Sequence, residues 1–254
     1  MPYAVYPVKA FARLWHMRRN VMPELSLSGE PEVRVTLRRS AQARRMSLRI
    51  SSLDGRVTLT LPKRVSEREG RAFLLEKEDW IRSHLARQPE RIDVGIGISL
   101  PIEGRTITIK AGAGRRVRHA EDTLVVPEPA PARRLERYLR ELARDRLAAA
   151  SDLYAERLGR RYSSLTLRDT RSRWGSCSSA GGLMYSWRLI LAPPDILHYV
   201  AAHEVAHLKE MNHSRAFWAT VEDIHGDYRD QRHWLQTEGN ALHRYRFEEN
   251  VERD

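Results

Sequence analysis

The chain has 254 residues, of which 41% are hydrophobic and 30% charged, a balance that excludes a fully disordered chain. No run of 18 apolar residues occurs, so neither a transmembrane helix nor a membrane partner is expected. The single cysteine excludes an intramolecular disulfide and favours a reducing compartment, here the cytoplasm. The net charge of +11 allows contact with nucleic acid, but only five of the 44 basic residues are lysine, and an arginine excess also arises from codon usage.

Residues 1–30 are expected to lie outside the folded part of the protein. Pro2, Pro7 and Pro23 interrupt any long element, and the stretch lacks the continuous apolar segment of a signal peptide. We interpret it as a flexible tail, or as the result of a start codon assigned too early, with Met22 as the true start.

Residues 31–130 are predicted to form a β-rich N-terminal region with one helix. Alternating apolar residues between 32 and 61 predict strands, with Asp54-Gly55 as a hairpin turn. Ser66 and Glu69 form a capping box that begins a helix running to about residue 86. Short strands return over 96–126, and no internal repeat is apparent.

A loop between the first strands contains four arginines and no acidic residue. It is interpreted as a solvated hairpin tip, with a phosphate-binding loop as the alternative. The arginines are Arg38, Arg39, Arg44 and Arg45.

Residues 131–250 are predicted to form a second, catalytic domain, after the proline-rich linker Val126–Pro131. A long helix is expected over 132–159, followed by a hairpin over 164–189. Pro193 and Pro194 then begin a helix at the position where proline is tolerated.

That last helix contains the sequence His-Glu-x-x-His, from His203 to His207. Positions four apart lie ~40° apart around a helix and about 6 Å apart along it, so both histidines can bind one zinc ion. Glu204 can take a proton from a zinc-bound water, whose pKa the metal lowers toward ~7. Two core histidines are the alternative, but an adjacent buried, unpaired carboxylate would be costly.

A catalytic zinc site needs a third protein ligand and leaves the fourth position to water. His213 is the first candidate, since it has the metzincin spacing, although Glu210 stands where metzincins have a glycine. Glu222 is the second candidate, as in thermolysin-like enzymes. The further candidates are His225, His233 and His243.

The segment His203–Trp218, with its pattern Asn-His-Ser-x-x-Phe-Trp, resembles the YgjP-like metallopeptidases, which are relatives of the SprT-like zinc proteases. Arg173–Cys177 and Arg39–Arg49 resemble other parts of the same family. The resemblance implies an α+β fold with a zincin-like metallopeptidase domain, in which a small sheet and an active-site helix enclose a cleft. It supports His203, His207 and His213 as zinc ligands and Glu204 as the catalytic base.

The resemblance also places Arg173–Cys177 near the cleft, where zincins hold an extended peptide against an edge strand. We therefore expect Trp174 and Gly175 to bind substrate, with packing beneath the sheet as the alternative for Trp174. Cys177 is interpreted as a small buried residue, with a redox-sensitive zinc ligand as the alternative.

The expected function is that of a zinc-dependent metallopeptidase acting on a peptide or protein. Tyr228, Arg232 or His233 is expected to stabilise the oxyanion. One alternative is a zinc-dependent nucleotide or phosphate-ester hydrolase that uses the loop arginines. Another is a DNA-associated, SprT-like protease, although the single cysteine excludes a Cys-x-x-Cys recruitment module.

Overall fold

The computed structural model describes residues 24–51, 55–86 and 90–247. The chain divides into two compact units, Met1–Gln88 and Pro89–Asp254. Most of the expected tail, including Met22, lies outside the described residues. From residue 24 onward the expectation of a flexible tail is wrong, because Glu24–Leu27 forms a strand, β1, with Leu25 and Leu27 buried.

The first unit is a four-stranded sheet with two helices. Its further strands are β2 (Val33–Ser40), β3 (Ser47–Ile50) and β4 (Val57–Pro62). The order is β1-β2-β4-β3, in which the central pair is parallel and both outer pairs are antiparallel. Apolar residues at every second position of β2 and β4 are buried in a core of this unit's own.

Two helices stand where one was expected in this unit: α1 (Glu67–Glu76) and α2 (Glu78–Ala86). Lys77 separates them, because its backbone angles, φ −99° and ψ 8°, leave the helical region. The capping box is confirmed: Ser66 Oγ accepts from the Glu69 N–H, and the Ser66 N–H donates to Glu69 Oε2 at 2.8 Å. The expectation that four arginines lie in one loop is wrong for two of them, because Arg38 and Arg39 belong to β2 and only Arg44 and Arg45 lie in the connection before β3. Arg39 donates to the carbonyl of Val65 at 2.8 Å.

The second unit begins with another four-stranded sheet. Its strands are β6 (Ser99–Ile102), β7 (Arg105–Gly112), β8 (Arg118–Ala120) and β9 (Thr123–Pro127), and the short β5 (Ile92–Asp93) precedes them. The order β6-β7-β9-β8, with a parallel central pair, repeats that of the first unit. The two sheets form a structural repeat that the sequence did not reveal, and each has an arginine pair between its second and third strands, Arg44-Arg45 and Arg115-Arg116.

The rest of this unit shares the same core. Its elements are α3 (Pro131–Leu158), β10 (Ser164–Arg168), β11 (Gly175–Cys177), β12 (Gly182–Ser186), a 3₁₀ helix (Trp187–Leu191), α4 (Pro194–Ala206), α5 (Arg215–His225), α6 (Arg229–Thr237), a second 3₁₀ helix (Gly239–Arg244) and β13 (Tyr245–Arg246). The expected hairpin over 164–189 is present only as the antiparallel pair β11–β12. β10 lies parallel to β12 on its other side.

One hydrophobic core contains residues of β6, β7 and β9 together with residues of α3, α4 and α5. Leu100 and Ile107 from the sheet and Leu135 from α3 all belong to it and are fully buried. The compact units therefore divide at residues 88 and 89, whereas the proline pattern placed a domain boundary before residue 131. The α+β fold class is confirmed. No helix within the described ranges is both long and apolar enough to cross a membrane.

A buried arginine links the last described residues to this core by hydrogen bonds. Arg188 donates to both carboxylate oxygens of Asp169, at 2.7 and 3.0 Å, and to the carbonyls of Leu242 and Tyr245. Its guanidinium also lies 5.0 Å from the ring centre of Trp187. The segment after α6 is thereby fixed beside the 3₁₀ helix that precedes α4.

Candidate metal centre

Helix α4 positions the His-Glu-x-x-His residues. Pro193 caps it and Pro194 is its first residue, where the missing N–H costs nothing. Its apolar residues, from Ile196 to Val205, are buried on nearly all sides. His203 and His207 lie one turn apart on one face, with ring centres 5.1 Å apart.

His213 reaches the same point from the loop that follows α4. The helix ends at Ala206, and Ser214 caps α5 by accepting from the Phe217 N–H. No residue from 207 to 214, all of them described, has a positive φ, so the reversal needs no glycine at position 210. The structure therefore brings His213 to the α4 histidines by a different bend from the one that metzincin spacing implies.

The three histidines lie close enough together to hold one metal ion. One ring nitrogen from each lies within 4.8 Å of the others, and Nε2 of His213 is 3.1 Å from Nε2 of His203. Tetrahedral zinc with Zn–N bonds of 2.0–2.1 Å requires nitrogens about 3.3 Å apart. The three imidazoles can therefore hold a zinc ion without a large movement.

Two of these rings have lowered pKa values, which favour the neutral form that binds a metal ion. Burial, together with the charges of His207, His213 and Arg232, lowers the pKa of His203 to about 3, so its ring is neutral. Burial lowers the pKa of His207 as well. His207 Nδ1 lies 2.9 Å from the Glu210 carbonyl, and donation there fixes the tautomer with Nε2 free to bind a cation.

Two aromatic residues of α5 hold the rings in place. Phe217 is fully buried and stacks on His207, with ring centres 4.4 Å apart. Trp218 stacks on His213 at 5.7 Å. The signal in the sequence for their contact with the centre is the histidine that precedes them in Asn-His-Ser-x-x-Phe-Trp.

Glu204 lies beside the histidines and is only 5% exposed. Burial raises its pKa to about 8, and the charge of Arg173 opposes that rise. A pKa near the working pH suits a general base, and a cation held by the histidines would favour the ionised form.

Gly175 of β11 faces this carboxylate at close range. A Cβ at position 175 would lie 2.6 Å from Oε1 of Glu204, closer than real Cβ contacts. The backbone of β11 and the carboxylate of Glu204 are therefore neighbours only because this residue has no side chain.

Trp174 has contacts that favour packing. Its ring lies against the backbone of Gly239 and 5.2 Å from the ring centre of His243, and its carbonyl accepts from the Ser186 N–H. Its role in substrate binding stays a prediction.

Cys177 lies half-buried on β11. Burial, with a smaller contribution from the charge of Glu204, raises the pKa of its thiol. A raised pKa favours the thiol over the thiolate that binds metals.

The other candidate ligands lie elsewhere, and none joins the His203–His207–His213 group among the described residues. Glu222 is exposed, 3.8 Å from Arg229. His225 faces Tyr154 and Tyr199, and His243 faces Trp174. His233 is exposed.

Of the residues suggested for the oxyanion, two lie beside the aromatic layer of the centre. The Arg232 guanidinium is 4.6 Å from the ring centre of Trp218, and Tyr228 stacks on the same ring at 5.1 Å. Both residues support the Trp218 ring, and oxyanion stabilisation by either of them stays a prediction.

Comparison with known proteins agrees with this geometry. A sequence model described as YgjP-like, metallopeptidase domain, matches residues 44–238. Among curated proteins, none matches the chain. A solved structure, the metallopeptidase zymogen abylysin of Pyrococcus abyssi, is 19% identical to this chain, and the match spans 36% of this chain and 95% of abylysin with a TM-score of 0.33.

Proposed function

Since the chain belongs to the YgjP-like metallopeptidase family, we propose that it is a zinc-dependent peptidase that uses Glu204 as its general base. The observation that carries the proposal is the convergence of three imidazoles beside a buried carboxylate. His203, His207 and His213 would hold the ion. The single cysteine supports a reducing compartment, which we take to be the cytoplasm.

The chain's own residues then have distinct tasks. When bound, the zinc ion supplies Lewis acidity that polarises the scissile carbonyl and acidifies a coordinated water. Glu204 takes a proton from the attacking water and passes it to the leaving amine. Because Gly175 has no side chain, Glu204 has room to face both the attacking water and the leaving amine.

The substrate would be a peptide or protein in an extended conformation. β11 lies at the end of the order β10-β12-β11, so one of its edges has no strand partner among the described residues. α4 packs against this strand. A peptide added to that edge would receive main-chain hydrogen bonds close to Glu204.

The test is cleavage of an unfolded protein mixture, with new peptide termini identified by mass spectrometry. Zinc-loaded wild type should generate termini, and Glu204→Gln should bind the same amount of zinc and generate none above background. Removal of general-base catalysis costs about 10²–10⁴-fold in rate. Equal cleavage by the two proteins would overturn the proposed role of Glu204.

A further inference from the structure

An open groove lies directly beside the candidate metal centre. Its volume is about 360 Å³, and His207 forms part of its wall. The other lining residues come from three segments: Arg160 and Arg161 after α3, the turn Ser178–Gly181 after β11, and Leu208 and Met211 after α4. Met211 is 54% exposed at this wall and offers an apolar surface to a bound side chain.

The groove has a positive charge, because two arginines and no described carboxylate line it. Arg160 and Arg161 follow Gly159, the residue that ends α3 in the left-handed conformation. Both are exposed, and neither forms an ion pair with a described residue. No carboxylate is present among the residues that line the groove. The nearby Asp152 accepts from Tyr162 at 2.6 Å.

The strand that borders Glu204 leads to this groove. β11 begins at Gly175, against the carboxylate, and continues through Cys177 into the turn at Ser178 that forms the groove wall. A strand advances about 3.3 Å per residue, so the turn lies about 10 Å beyond Gly175. A peptide extended along β11 would therefore place a residue two or three positions from the scissile bond over the groove.

We propose that this groove is a specificity subsite that binds a carboxylate of the substrate, an inference that rests on the proposed peptidase function. The methylene groups of the bound residue would contact Leu208 and Met211, and the guanidinium groups of Arg160 and Arg161 would receive the carboxylate. The carboxylate can belong to an aspartate or glutamate side chain, or to the free C-terminus of the peptide.

The first test is binding to the full-length, zinc-loaded Glu204→Gln protein, which leaves the peptides intact. The probes are fluorescein-labelled hexapeptide pools of alanine, glycine, leucine and serine. One pair carries an internal glutamate or glutamine and an amidated end. The other has no acidic side chain and ends in a carboxylate or an amide. Fluorescence anisotropy gives Kd for each pool.

In at least one pair, we expect the protein to bind the pool with the carboxylate about tenfold more tightly than its matched pool, as a ratio of Kd values. The pair that shows this ratio identifies the source of the carboxylate. Arg160→Gln/Arg161→Gln should abolish that ratio. The matched control Arg133→Gln/Arg137→Gln should preserve it, since these exposed arginines lie about 30–40 Å away at the other end of α3. Equal affinities in both pairs, a ratio that survives Arg160→Gln/Arg161→Gln, or one that the control also loses would overturn the proposal.

The second test separates this inference from the proposed function. Wild-type cleavage of unfolded proteins should give termini with an acidic residue enriched at one fixed position, or cuts near a free C-terminus, and Arg160→Gln/Arg161→Gln should lose that enrichment. If the wild type gives no termini at all, the peptidase proposal fails and the binding ratios alone decide the subsite. Termini without any such preference would contradict the subsite directly.

Discussion

At the scale of single residues, the centre depends on groups that differ in how firmly they are held. His203 and Glu204 lie on a buried helix, whereas His213 lies on an exposed loop. Gly175 contributes only the space that a side chain would fill. Each of these differences leads to a separate expectation.

Gly175→Ala should reduce kcat by at least about tenfold, because the added Cβ forces the Glu204 carboxylate to move and proton-transfer geometry is sensitive to small shifts. Zinc content should stay unchanged, since the three histidines are not displaced. The control is Gly95→Ala, where a Cβ would meet nothing within 4 Å. Cleavage rates and zinc content measure both effects, and a fully active Gly175→Ala protein would disprove the steric argument.

His213→Ala should weaken zinc binding by more than about 100-fold, since even the loss of a group that only orients a ligand costs 10–100-fold. Glu222→Ala should bind zinc as the wild type does, because Glu222 lies outside the cluster. Competition with a chelating dye gives both affinities. The reverse result would make Glu222 the third ligand.

The sequence predicted part of this centre for a clear physical reason. Two histidines four positions apart must share a helix face, so spacing alone brings His203 and His207 together. His213 required an assumption about the bend after α4, and the observed bend lacks the expected glycine. The proximity of Gly175 to Glu204 depends on packing between a strand and a helix, which no local pattern encodes.

At the scale of elements, local signals located the strands and helices but did not determine their pairing. Alternation identified β2, β4 and the strands of the second sheet, yet a parallel pair and a hairpin have the same alternation. β10 was therefore assigned to the wrong kind of pairing. The structural repeat escaped detection because two sheets can keep the same alternation of apolar residues while sharing few identical residues.

The Asp169–Arg188 pair connects two of these elements and predicts a pH dependence. Burial opposes ionisation of Asp169, but the hydrogen bonds and charge of Arg188 outweigh it, and the net pKa is lowered. The stabilisation is therefore complete above the ordinary aspartate pKa of about 3.9 and is lost as the pH falls below it.

Asp169→Asn should lower the free energy of unfolding by about 1–3 kcal/mol at pH 7, a range reduced because Asp169 is partly exposed. The difference from wild type should shrink as the pH approaches 3. Asp122→Asn, which breaks the exposed pair with Arg105, should have little effect. Thermal unfolding over this pH range measures all three proteins, and a constant difference would exclude the ionised pair as its cause.

At the scale of the whole molecule, the two units have separate hydrophobic cores. The first core is built from β1–β4 and the two following helices alone. The sequence suggested a later boundary because prolines after β9 looked like a linker, whereas that sheet shares its core with α3.

A fragment of residues 24–88 should therefore fold by itself, as judged by cooperative thermal unfolding in circular dichroism. Leu59→Ala should abolish that transition, because deleting a fully buried leucine costs about 2–5 kcal/mol. The same substitution in the full chain should leave zinc binding intact. A fragment without a cooperative transition would show that the first core needs the second unit.

The pairing of β5 with β13 has a topological consequence. Ile92 lies opposite Tyr245, so the two ends of the described part of the second unit are adjacent although nearly the whole unit separates them in sequence. Domains whose termini meet in this way tolerate circular permutation. A short linker from residue 247 to residue 90 would span this gap, and new ends could be opened at the exposed turn around Gly114 without cutting any segment of the metal centre.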